Sequence, residues 1–137
     1  MRVFFDTNVL FSALYSLSAP PAQLLNAAVA GRIQVVISSV VLDELVRNLR
    51  NKAPIGLPRL DNLFVEATIE MATEASSDEL DQLRNQGFGS DAPIVAAALG
   101  SRIDYICTGD RRLLERVRRA RLDLRAASPA ELLSLLE

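Results

Sequence analysis

Histidine is absent from the chain, and so is tryptophan. The first absence excludes a broad set of mechanisms: there is no Ser-His-Asp triad, no Cys-His pair, no imidazole base and no histidine-ligated zinc. Catalysis here has only carboxylates, hydroxyls, cations or a bound metal to run on. The single cysteine, Cys107 in the apolar run YIC, cannot form an intramolecular disulfide and fits a buried thiol in a reducing compartment. Lysine is nearly absent too, with Lys52 standing against fourteen arginines. Aromatic side chains are few, Phe and Tyr alone, and their spacing offers no stacking platform of the kind single-strand binders use. No apolar stretch reaches the roughly 20 residues that a membrane-spanning helix needs. The apolar start is too short for a signal peptide and runs directly into Asp6. The chain therefore reads as cytoplasmic.

Half of the 137 residues are hydrophobic. That is enough to bury a core without disulfide or metal staples, as a single domain over residues 1–137. The net charge of −2 argues for no particular partner, but the charge is unevenly placed. Seven arginines lie between Arg111 and Arg125, against two acids, Glu115 and Asp123.

Short apolar runs alternate with helical patterns, the order expected of a sheet built from βαβ units. The runs Val3–Phe5, Val35–Ile37 and Tyr105–Cys107 read as strands buried on both faces, and Leu122–Leu124 as a last short one. Helices are expected over Val9–Tyr15, after Pro20-Pro21 as far as Gly31, and after Ser38 or Ser39, where Val41, Leu42, Leu45, Val46 and Leu49 form an apolar stripe. Pro54, Gly56 and Pro58 interrupt the chain before a further helix near Leu60. Periodicity does not decide residues 68–86, where a strand near Ile69 and a polar helix from Asp78 are the candidates. Helices over Asp91–Leu99, RRLLERVRR and Pro129–Leu136 complete the series.

Asp6 stands directly after the first buried strand, and nothing about such a strand requires a carboxylate. Asp110 follows YIC through TGD, Glu44 lies just inside the helix after VVI, and Asp91 opens its own helix. In a parallel sheet the carboxyl ends of the strands share one edge, where open α/β sheets bind ligands. Three βα connections would thus carry Asp6, Glu44 and Asp110 to one rim, with Asp91 joining them if its helix starts there. Each acid has an ordinary explanation, as a helix cap, a turn residue or a complement to a helix dipole. Together they repel one another, by about 4 kcal/mol for a pair about 4 Å apart at an effective dielectric near 20. Such a cluster protonates or holds a cation, and all-oxygen donors select a hard one, Mg²⁺ or Mn²⁺. Metals held in this way serve phosphoryl chemistry.

The stretches VFFDTNVLFSAL, SSVVLDEL, SDAPIVAAAL and YICTGDRRLL, in this order, resemble the four acidic motifs of PIN-domain nucleases. The closing SPAELLSLL is similar to that of the PIN-family toxins of toxin–antitoxin systems, the VapC-like proteins. The resemblance implies a three-layer α/β/α sandwich around a mainly parallel sheet. It implies Asp6, Glu44, Asp91 and Asp110 as catalytic and metal-binding acids, supported by Asn8 and Thr108. It further implies metal-dependent hydrolysis of RNA leaving a 5′-phosphate, a homodimer, and an antitoxin partner. The partner surfaces are expected on the helix from Ala22 to Val29 and the segment from Leu60 to Met71. The sequence departs from many members of that family in lacking a second acid beside Asp91, which leaves the choice between one metal and two open. Arg111 and Arg112, on a helix starting at the rim, are candidates for binding substrate phosphates; a solvated arginine-rich face accounts for that helix equally well.

Two other readings compete. FFDTNVL resembles the start of haloacid dehalogenase phosphatases, which carry a second aspartate where this chain has Asn8, and a lysine for which only Lys52 is available. A non-enzymatic PIN-like interaction module would keep the acids idle.

Overall fold

A computed structural model describes residues 1–137. Five short strands form one parallel sheet: β1 (Arg2–Phe5), β2 (Gln34–Ile37), β3 (Ile69–Met71), β4 (Tyr105–Cys107) and β5 (Arg125–Ala127), in the order β3-β2-β1-β4-β5. Eight helices connect or follow them: α1 (Thr7–Tyr15), α2 (Pro20–Val29), α3 (Ser39–Lys52), α4 (Gly56–Glu66), α5 (Ser77–Asn85), α6 (Ala92–Leu99), α7 (Arg111–Arg119) and α8 (Pro129–Leu136). The expected three-layer α/β/α sandwich is what forms. Right-handed crossovers put α1 to α4, which connect β1, β2 and β3, on one face of the sheet, and α5 to α7 on the other. Accordingly α1 packs on α2, α3 and α4, while α5 packs on α6.

The hydrophobic runs read from the sequence are buried because the central strands are covered on both faces. Val3, Phe4, Phe5, Val35, Val36 and Ile106 are all fully inaccessible. No helix is long and apolar enough to cross a membrane.

Residues 68–86 resolve into β3 and into α5, which starts at a reciprocal cap between Ser76 and Glu79. Helix α4 begins at Gly56, four residues before Leu60, and carries Pro58 in its first turn, where a missing N–H costs nothing. The last strand is a correction. It is Arg125–Ala127 and not Leu122–Leu124, because Arg121 takes a left-handed φ of 51° and the chain pairs with β4 only from Arg125, opposite Tyr105. Leu124 is buried as part of the approach to that strand.

The chain winds outward from β1 through β2 to β3, then returns to β1's other side for β4 and β5. The boundary between β1 and β4 is therefore the point where the winding reverses. Ligands of open α/β sheets bind at the carboxyl edge there.

Candidate active site

Asp6 and Thr108 are the first residues beyond β1 and β4, and the Asp6 amide still donates to the Cys107 carbonyl at 3.0 Å. The sheet register, Phe5 opposite Cys107, thus places the Asp6 carboxylate beside the Thr108 side chain. Thr108 Oγ1 donates to Asp6 Oδ2 at 2.7 Å and accepts the Asp110 amide at 3.1 Å. Asp6 Oδ1 caps α1 by accepting the Thr7 amide at 2.7 Å. Asn8 links the same two loops: its Nδ2 donates to Asp6 Oδ2 at 3.3 Å and its Oδ1 accepts the Gly109 amide at 3.1 Å.

Glu44 arrives from α3 and accepts the Thr7 hydroxyl at 2.9 Å. Asp110 caps α7 with Oδ1, bonded to the amides of Arg112 and Leu113, and its other oxygen takes no hydrogen bond. Asp91 occupies the N-cap of α6 without a capping hydrogen bond, at the end of a 3₁₀ turn Gly89–Asp91. Its one partner is Arg116 on α7, 3.9 Å away. The helix-cap explanation therefore accounts for part of Asp6 and Asp110 and for none of Asp91.

All four acids, with Asn8, line a single cavity of about 440 Å³. Burial pushes the Asp6 carboxyl above the ordinary aspartate range; hydrogen bonds from Thr108 and Thr7 oppose the shift, and the charges of Asp91 and Glu44 add to it. Asp91 is raised as well, first by burial and then by Asp110, with Arg116 pulling the other way and Glu44 adding to it. Cys107 plays no part in this chemistry: burial, with Asp6 nearby, pushes its thiol up to about 12.

The donor set fits a hard divalent cation, since its charged groups are carboxylates that raise one another's proton affinity. No three of them close into a ligating group in this structure. Each leans on a protein partner instead, Asp6 on Thr108, Glu44 on Thr7, Asp91 toward Arg116 and Asp110 on the start of α7.

Thr108 lies wholly buried behind Asp6, outside the cavity lining. Arg111 and Arg112 are exposed on the first turn of α7, next to Asp110. Arg118 is engaged elsewhere, with Glu131 and the Ala126 carbonyl. Sequence reasoning missed Thr7, Phe11, Ser12, Asn48 and Ser90, which also line the cavity, and did not place Lys52 there. The signal for two of them was present: Glu44, Asn48 and Lys52 are four residues apart, so α3 presents them on one face.

A family model for the PIN domain matches residues 2–112. No curated protein sequence matches the chain significantly. Among solved structures, the fold is similar to a chain in the crystal structure of VapBC2 from Rickettsia felis bound to a DNA fragment from their promoter. The TM-score is 0.69 and the identity 17%, over 93% of this chain and 98% of that one. It is also similar to PAE2754 from Pyrobaculum aerophilum, with a TM-score of 0.66 and 19% identity over 99% of this chain and 89% of that one. The family match takes in all four acids and the strands that carry three of them to one edge, and the chain belongs to the PIN-domain family of nucleases.

Proposed function

We propose that the chain is a metal-dependent ribonuclease and the toxin of a toxin–antitoxin pair. The observation that carries the first part is the convergence of Asp6, Glu44, Asp91 and Asp110 on one cavity at the reversal point of the sheet. Asp6, Asp91 and Asp110, with Glu44 beside them, would hold Mg²⁺ or Mn²⁺, which supplies the Lewis acidity and the activation of water that no histidine is present to give. Thr108, Thr7 and Asn8 hold the Asp6 carboxylate in place before substrate arrives. Glu44 is held through one oxygen by Thr7, leaving Oε1 free to accept a proton from the attacking water. In-line attack of that water on phosphorus would break the P–O3′ bond, with the released 3′-oxygen taking a proton from solvent and the phosphate staying on the 5′ side. Arg111 and Arg112, exposed next to Asp110, hold the RNA backbone through its phosphates.

The toxin assignment is supported by the likeness to a chain of a VapBC2 assembly. An antitoxin and a second copy of the chain need apolar surface, and α1, α2 and α4 supply it. Leu17, in the turn between α1 and α2, is exposed, as are Val29, Phe64 and Val65, the last at 86%. A groove of about 370 Å³ lies between these helices, lined in part by Leu14, Leu25 and Leu63.

The decisive experiment incubates the purified chain with a pool of labelled RNAs in Mg²⁺, Mn²⁺ or EDTA, beside Asp6→Asn prepared identically. Cleavage that needs metal, leaves 5′-phosphates and is lost in the variant is expected. Cleavage that Asp6→Asn retains, or that persists in EDTA, overturns the assignment.

A further inference from the structure

The acidic cavity contains one cation. Lys52, the only lysine of the chain, lines it from the last turn of α3 and makes no ion pair with any of the acids. A basic residue there complements the helix dipole, yet Arg50 in the same turn already does so. Lys52 lies eight positions beyond Glu44, about 12 Å along the helix axis. The ammonium lies more than 4 Å from every carboxylate oxygen of the cavity, since it enters no ion pair. Asn48 lies between them on the same face of α3 and lines the cavity too.

The opposite wall is α1, which packs against α3. Its Phe11 lines the cavity, and Tyr15, one turn on and 62% exposed, stacks on Phe11 with ring centroids 6.0 Å apart and planes 10° from parallel. The sequence reading found no stacking platform. The helix makes a small one by spacing two of the few aromatic residues four apart.

An aromatic face and an unpaired cation beside a carboxylate cluster suit a polynucleotide strand leaving the reaction centre, since bases stack on aromatic rings and phosphates seek cations. Building on the nuclease reading, we infer that the groove between α1 and α3 binds the single-stranded nucleotides flanking the scissile bond. Lys52 takes a flanking phosphate and Phe11, extended by Tyr15, takes a base. Ammonium is a compact point charge suited to a phosphate oxygen, and the four-carbon stem lets it reach without entering the carboxylate cluster. The scissile phosphate itself stays with the acids. The substrate is accordingly longer than a dinucleotide.

The test compares wild type with Lys52→Met, Lys52→Arg and Tyr15→Ser in two assays. In the first, binding of a fluorescent single-stranded RNA 12-mer is measured by anisotropy in EDTA across a salt series. Loss of one phosphate contact lowers the slope of log affinity against log salt by about 0.7. At moderate salt, Lys52→Met weakens binding roughly fivefold, Tyr15→Ser also weakens it, and Lys52→Arg binds as wild type does. In the second, kcat/KM is measured with metal on the 12-mer and on a dinucleoside monophosphate, whose single phosphate is the scissile one and leaves no flanking phosphate for Lys52. Lys52→Met loses efficiency on the 12-mer alone, whereas a damaged fold loses it on both. Unchanged affinity and salt slope in Lys52→Met overturn the inference, and so does equal loss on the two substrates. Failure of wild type to cleave the 12-mer overturns the nuclease reading instead, with the binding assay still deciding the groove.

Discussion

The Thr108 hydroxyl, wholly buried, donates to Asp6 Oδ2 across 2.7 Å and in turn accepts the Asp110 amide. One side chain thereby ties the ends of β1 and β4 together. Thr108→Val keeps the volume and removes both interactions. A hydrogen bond to a charged group is worth roughly 1.5–3 kcal/mol, so the urea midpoint at neutral pH is expected to fall accordingly, with Thr108→Ser close to wild type. An unchanged midpoint in the valine variant would mean that the bond contributes nothing to stability.

Asp6 and Asp91 both hold protons more tightly in the fold than in the unfolded chain, chiefly through burial. Between the unfolded value, about 3.9, and the raised folded value, the native state binds more protons, so stability falls as pH rises through that window. The contribution is complete below the unfolded value and lost above the folded one. Asp91 makes no hydrogen bond through its side chain, which lets Asn remove the charge and little else. In EDTA, Asp91→Asn is expected to exceed wild type in stability at pH 7 and to match it below about pH 4. Urea melts at the two pH values check this, and a variant less stable at pH 7 contradicts it.

Adjacent residues on α3 separate structure from chemistry. Leu45 is fully buried in the core, whereas Glu44 is half-buried in the cavity wall and tied only to Thr7. Leu45→Ala is expected to cost about 2–5 kcal/mol and to keep its turnover where it remains folded. Glu44→Gln is expected to melt near wild type and to lose cleavage by at least about 100-fold, the scale of a lost acid–base group. Paired thermal melts and initial rates decide it; equal rates for Glu44→Gln and wild type would remove Glu44 from the chemistry.

The buried parallel strands were legible because covering both faces demands continuous apolar runs, and Asp6 stood out because a charge ends one of them. The fifth strand was not legible. Leu122 and Leu124 alternate as a strand would, but pairing is set by where the chain meets β4, and there Arg125 lies over the Tyr105 ring at 4.5 Å. Asp91 could be placed near the rim from its motif, while its pairing with Arg116 depends on how α6 and α7 lie against each other. The Phe11–Tyr15 stack was open to helical spacing alone, and Lys52 could be read into the cavity only once Glu44 was assigned to a particular face of α3.

Arg116 is the protein's own counter-charge to Asp91, 3.9 Å away and half exposed. A cation entering the cavity must share Asp91 with it. Removing the guanidinium takes a like charge from beside the incoming ion, so Arg116→Gln is expected to bind Mn²⁺ more tightly, though by no more than about fivefold, since exposed pairs are worth up to about 1 kcal/mol. Arg116→Lys keeps the charge and is expected to bind as wild type does. The gain should shrink as salt is added, because the competing pair is screened. Titration calorimetry of Mn²⁺ into the three proteins at two salt concentrations measures this directly. Weaker binding in Arg116→Gln would mean that Arg116 orients the Asp91 carboxylate for the metal and does not compete with it.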